Sequence, residues 1–561
     1  MTQKALLELE AIRDRFGGGE AARKLALLVH LDRAPMPSAS MVRRLHEVLC
    51  YLRAYPDDAA VLSQVEQMLR SFAGRRDLKR FRRALVDSGI AGTSIRYPFF
   101  AATARWLSRR FPGSLRVVWS DVNRKQQELL DGRLPLLASY PETPALDEVV
   151  WPMSRWVARL AGPSATDADF LIERSARIGR TEAECEAFYE EMALPLELRP
   201  GPGTPSRSQA RLEGEPVRFQ SEPLDRSRPD LRRVLRRKPF PVRDLDEREG
   251  ARVVDLAREA MVLRHRDLDA FAHGDPRDVR LFDCGRGLQF AVIGVKPERR
   301  LMLESVYAFL TLQNGVPIGY VLVSGLFASS EIAYNVFDTW RGGEAARIYG
   351  QVLAAAKQLF GADTFTIYPY QLGGDGNDEG LKSGAWWFYQ KLGFRARDPD
   401  VLALMERELA AMARKRGYRS SIATLRKLAA HNVYWSSGRP RDDVIGIFPL
   451  SAIGLAATDY LASRFGADRE RGLQRCSREA ARLLGCAGWR RWDAGERLWF
   501  ERWSPLVLAL PGVEGWPARD RALLADVIRK KGGRRESDYA RALDSHRRLR
   551  RALHALAARE R

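Results

Sequence analysis

Asp338-Thr339-Trp340-Arg341-Gly342-Gly343-Glu344-Ala345-Ala346 decides how this 561-residue chain is read. Upstream, Glu331–Phe337 carries Ile332, Tyr334, Val336 and Phe337, a β-rich run. Downstream, Ile348, Val352, Leu353, Ala356 and Leu359 recur at helical spacing, and Gly361 supplies a stop. A strand, a glycine turn and a helix start together form an anion site. Free N–H groups and the positive end of the helix dipole face the turn, and glycine lets a phosphate approach the backbone. Glycine also reverses chains in ordinary α/β turns, so on these residues alone the structural role weighs as much as the binding role.

Working outward, Asn314-Gly315 separates two further β-rich runs, Leu303–Gln313 and Val316–Ser324. That pair accepts positive φ at both centres of a type I′ turn, which predicts a hairpin. Past the helix, Phe365–Tyr370 predicts a strand. Gln371–Lys382 then forms a loop with Gly373, Gly374, Gly376 and Gly380, in which Asn377 can approach a bound ligand or the loop can simply connect. Ser383–Phe394 closes the region as a short aromatic helix with Gly393 as its stop.

At Ser383–Phe394 the chain resembles the GNAT N-acyltransferase superfamily. Ala385, Tyr389, Gly393 and Phe394 fill the places of that family's late helix motif, Ala-x-x-x-Tyr-x-x-x-Gly-Phe. Arg341 to Ala346 occupies the place of its pyrophosphate loop. Glu344 stands where that motif has glycine, and a carboxylate there repels a pyrophosphate, although an acid in a first helical turn is also favoured by the dipole. The resemblance covers 246–398, under half the chain. It implies that acetyl-CoA or another acyl-CoA is held by Arg341, Gly342, Gly343, Ala345 and Ala346. Val336 and Phe337 would end a splayed strand that pairs with the pantetheine arm, and Asn377 would lie near the cofactor. It further implies Tyr389 as the acid that protonates the leaving thiolate and Glu331 as the base that relieves the amine of its proton.

Composition bounds the rest. The length suits about three domains, and Lys plus Arg exceed Asp plus Glu by 92 − 71 = 21. That excess suits an anionic partner such as nucleic acid, an acidic carrier, CoA or a membrane surface. It is also spread along an Arg- and Ala-rich chain, where solvated faces are the ordinary outcome. Cys50, Cys185, Cys284, Cys476 and Cys486 are odd in number and widely spaced, which points to neither a disulfide framework nor zinc. No metal is expected. The N-terminus does not read as a signal peptide, and no run is long and apolar enough for a membrane span. These features together predict a cytoplasmic protein.

Residues 1–195 predict a mainly helical region. Residues 196–240, rich in Pro, Gly and Arg, predict a linker or extended wrap. Residues 241–399 predict the GNAT-like domain, opened by a helix at Leu245–His265, with a turn at Asp283–Gly287 before a strand at Leu288–Val295. Residues 400–561 predict a helical basic region. There Trp489, Trp492, Trp499 and Trp503 alternate with arginines, a pattern that packs helices more often than it stacks bases. The expected class is an α+β/α multidomain chain: a central GNAT-like mixed β-sheet with flanking helices, plus mainly α-helical N- and C-terminal regions. The expected activity is acyl-CoA-dependent N-acyl transfer to an unidentified amine. The alternatives are a non-catalytic scaffold that binds an acidic protein or acyl carrier, and a basic nucleic-acid-associated protein.

Overall fold

The computed structural model describes residues 2–559. Contacts divide the chain into two units. The first comprises Met1–Pro223, Arg252–His273 and Gln313–Pro317; the second comprises Leu224–Ala251, Gly274–Leu312 and Ile318–Arg561.

The first unit is mainly helical. Its helix α1, Ala39–Ala54, is capped by Ser38 and buries one face through Val42, Leu45, Val48, Leu49 and Leu52. A small antiparallel sheet joins Ile95–Tyr97, Leu196–Leu198 and Leu115–Val117, strands too short to register in the apolar pattern. The stretch after Leu198 has almost no regular structure, yet it is held. Arg53, 2% exposed, donates to the carbonyls of Arg207, Ser208 and Ala210. Arg207 is bidentate on Glu47, at 2.6 Å twice. Proline and glycine suppress helix and strand here, and side chains take over the backbone hydrogen bonds.

The Asn314-Gly315 turn belongs to this first unit by contact, although its strands do not. Both residues have positive φ, 50° and 76°, as the type I′ turn requires. Asn314 Nδ2 donates to the carbonyls of Ala54 and Arg218. A Cβ on Gly315 would lie 2.3 Å from the carbonyl oxygen of Leu212. We expect Gly315→Ala to cost about 1–3 kcal/mol, read as a lowered denaturation midpoint by circular dichroism.

The second unit is built on a nine-stranded mixed sheet. It opens with the short helix α2, Leu231–Leu235, and the strand β1, Val242–Asp244. Helix α3, Glu247–Val262, follows, and its C-terminal part passes into the first unit. The strands β2 (Gly274–Gly285), β3 (Leu288–Val295), β4 (Ser305–Gln313), β5 (Val316–Leu326) and β6 (Ser329–Val336) then run consecutively across the sheet. The turn expected at Asp283–Gly287 joins β2 to β3 through positive φ at Gly285, Arg286 and Gly287. Helix α4, Ala345–Phe360, ends at Gly361 with φ 77° and leads to β7, Thr364–Ile367. That strand is shorter than expected, because Pro369 starts a helical turn, where its fixed φ fits. Helix α5, Ala385–Lys391, and β8, Arg395–Ala396, complete the region.

Beyond Pro399 the chain is helical, with one addition. The strand β9, Val433–Ser436, inserts between β7 and β8, giving the order β8-β9-β7-β6-β5-β4-β3-β2-β1. β6 and β7 are parallel, the crossover being α4. The C-terminal helices, among them α6 (Ala518–Gly532) and α7 (Glu536–Ser545), share a core in which Trp499 and Trp503 are fully buried. Trp489 is also buried, with the Arg490 guanidinium over its ring at 5.0 Å. These rings pack helices and offer no open face to bases. Among the described residues the cysteines are free thiols, and no helix is long and apolar enough to cross a membrane.

Candidate functional site

The site begins where β6 and β7 part. Against β5, β6 pairs along its whole length, from Leu326↔Ser329 to Gly319↔Val336. Against β7 it pairs only from Ser329↔Thr364 to Glu331↔Thr366. From Ile332 to Val336 the strand therefore has no registered partner on the β7 side. β7 stops at Ile367, where Pro369 begins a helical turn, so the outer half of β6 runs past the carboxyl end of its parallel neighbour, the end of an α/β sheet at which ligands bind.

Alternation along β6 puts different chemistry on its two faces. Glu331 lies opposite Ser324 of β5 and takes a hydrogen bond from its hydroxyl. Burial, and secondly the negative charge of Glu304, push the Glu331 carboxyl up to about 7, against the opposing effect of Ser324. Glu304 is itself pushed up by burial, with Lys531 opposing. Tyr368, just after β7, joins this group; burial first, then both carboxylates, raise its phenol.

Tyr334 faces the other way. Its ring lies 5.3 Å from Tyr349 of α4, and its hydroxyl donates to the carbonyl of Ala345 at 3.2 Å. Tyr349 in turn lies 5.5 Å from Tyr389 of α5. Tyr389 is 3% exposed, and burial raises its phenol so that it stays protonated. The buried Tyr349 hydroxyl and the buried Trp340 Nε1 have no hydrogen-bond partner. Buried polar atoms without partners are uncommon in native proteins, and here two flank one glycine turn.

The turn itself is shaped for approach. Gly342 has φ 79°, and a Cβ there would meet no atom within 4 Å. Ile348 N–H donates to the Glu344 carbonyl at 2.9 Å to open α4, so the dipole's positive end lies at this turn. Glu344 is 5% exposed and is bound by Arg347 at 2.7 and 2.9 Å, a partner one helical turn on. Its carboxylate also accepts from the backbone N–H of Asp225. The charge that would repel a phosphate is thus paired. Arg341 Nε donates to the Val336 carbonyl, and its guanidinium pairs with Asp338 and Glu379.

No family model, no curated protein and no solved structure matches this chain. The geometry alone describes the site. Gly342, Gly343, Ala345 and Ala346 form the turn and the first residues of α4. Val336 ends β6, and Phe337 follows it, buried against Tyr320 and Trp340. Asn377 is committed elsewhere: its side chain accepts from Gly380 N–H at 3.0 Å and donates to the Tyr370 carbonyl at 2.7 Å, closing its own loop. Sequence reasoning missed Glu304, Tyr349, Tyr368 and Arg347, and had Tyr334 only as part of the splayed strand. The Glu344/Arg347 spacing was a usable signal; the other three come to the site only through strand pairing and helix packing.

Proposed function

We propose that this site is an acyl-CoA-dependent N-acyltransferase centre on a GNAT-like sheet. The observation that carries the reading is that the parallel neighbour β7 gives out beside Glu331, at the carboxyl end of the strands, where the Glu331 carboxyl is poised at about 7. A general base is most effective with a pKa near the working pH. When bound, an acyl-CoA supplies a thioester carbonyl to be attacked by an amine. Glu331, directly or through a water, takes the proton of the attacking nitrogen as the C–N bond forms. Tyr389 gives its phenolic proton to the sulfur as the C–S bond breaks. The unpartnered Tyr349 hydroxyl and the open space beside Gly342 fit a polar arm lying through the crevice. Because base and acid lie on opposite faces of β6, acceptor and donor enter from opposite sides and meet in the gap.

Calorimetric titration with acetyl-CoA and desulfo-CoA tests the donor site; saturable binding of both is expected. Tyr389→Phe should leave both affinities unchanged and slow thiol release with an accepting amine by about 10²-fold. Absence of heat and of thermal shift with either ligand would sink the acyl-CoA reading, leaving a scaffold or a different acyl carrier. Glu344 favours a second reading, a non-catalytic scaffold for an acidic protein, in which Tyr389→Phe changes no activity.

A further inference from the structure

Residues 224–240 were expected as part of a linker or extended wrap, with the basic run 230–238 ordinarily solvated but able to dock an acidic partner. They lie along α4 from its first turn toward its last. Leu224 sits against Gly343, where an added Cβ would be 3.8 Å from it. Pro229 sits against Gly350, with only 3.2 Å to a Cβ there. Lys357 Nζ donates to the Leu235 carbonyl at 2.8 Å, and Gln358 exchanges hydrogen bonds with the backbone of Phe240 at 2.7 and 3.0 Å. The contacts run in order from Glu344 to Gln358, which along a helix spans about 20 Å.

This strap turns its charges outward. Leu231, Leu235 and Phe240 are buried, whereas Arg228, Arg232, Arg233, Arg236 and Lys238 are exposed. Among the described residues none of these five cations makes an ion pair. The strap's two acids are used locally: Asp225 accepts from Ser227, and Asp230 caps α2. A row of unpaired cations costs self-repulsion, and an anionic partner removes that cost.

We propose that the strap docks an acidic acyl-carrier protein, whose phosphopantetheine thioester enters the crevice at the start of α4. This rests on the acyltransferase reading and names its donor. One feature favours a carrier over free CoA: the five exposed cations outnumber the three phosphates of one CoA, and on a strap laid along α4 they suit an acidic helix beside it.

The test uses the full chain with two probes, a fluorescently labelled, acetylated acidic acyl-carrier protein followed by anisotropy, and acetyl-CoA followed by calorimetry. The carrier should bind more tightly than acetyl-CoA, and its affinity should fall with added salt. Arg232→Glu/Arg233→Glu/Arg236→Glu should weaken carrier binding by about tenfold or more and leave acetyl-CoA affinity within about twofold. The corresponding Gln variant, milder for folding, should give a smaller loss in the same direction. Equal losses for both probes, or carrier binding indifferent to reversal, would overturn the proposal. So would single-stranded RNA that displaces the carrier from the strap, which would make the strap a nucleic-acid surface. The underlying reading fails separately: acyl transfer absent from both donors removes the enzyme, whatever the strap binds.

Discussion

Glu331→Gln should lower acyl transfer by about 10²–10⁴-fold, the usual worth of a positioned general base. Donor affinity should not change. The wild-type rate should rise with pH through about 7, because the base works only after losing its proton and the carboxyl is held near that value. The variant should lose this limb. Glu304→Gln should move the limb to lower pH without removing it, since burial, the larger cause, remains. Stability should move the opposite way. The folded-state value lies above the carboxyl's ordinary 4.5, so the stabilising contribution is full below that value and is lost as pH rises through about 7. At alkaline pH the Gln variant should therefore melt higher than the wild type while turning over more slowly. A variant that keeps both its rate and its pH limb would remove Glu331 from the mechanism.

The second large effect lies where α6 meets α7. Lys531 and Glu536 are both 0% exposed and ion-paired. Lys531 Nζ also donates to the Glu304 carbonyl at 2.7 Å, and Glu536 accepts from Val306 N–H at 3.1 Å. Lys531→Met should cost about 3–5 kcal/mol, because Glu536 is then left buried and unpaired. Replacing both by apolar residues should recover most of that loss. Burial outweighs the pairing and pulls the Lys531 ammonium down to about 8. Its contribution is therefore full above the ordinary 10.5 and is lost as pH falls toward about 8. Urea midpoints across that interval, wild type against the double variant, measure it. The same contact anchors the backbone of Glu304, so Lys531→Met should also disturb the pH limb of turnover.

What could be read from the chain was what local rules determine. Asn314-Gly315 was legible because a type I′ turn demands positive φ at both positions. Leu288–Val295 and the Gly361 stop followed from apolar period and glycine capping. The glycine turn and the short aromatic helix could likewise be placed in order. That β6 outruns β7 was anticipated only through the resemblance, which implied a splayed strand ending at Val336 and Phe337; the residues of either segment alone leave no mark of it. The grouping of Glu304, Glu331 and Tyr368 could not be read from the chain. β9 was hidden inside an otherwise helical stretch, because a four-residue strand leaves too brief an alternation to detect. Residues 224–240 looked like a linker because their anchors, Leu224, Leu231, Leu235 and Phe240, are few and are meaningful only against α4.

The two contact units are interleaved in the chain, which passes between them after Pro223, Ala251, His273, Leu312 and Pro317. During synthesis the first unit therefore stays unfinished until residue 317 has left the ribosome, by which time five strands of the second unit's sheet have been made in whole or part. A nascent chain released at residue 223 would lack Arg252–His273, and with it the buried Val262 and Leu263 of the first unit's core. From residue 317 onward the first unit has all its parts while the second still awaits everything from Ile318, so a chaperone meeting the nascent chain would hold a finished first unit beside an unfinished second one.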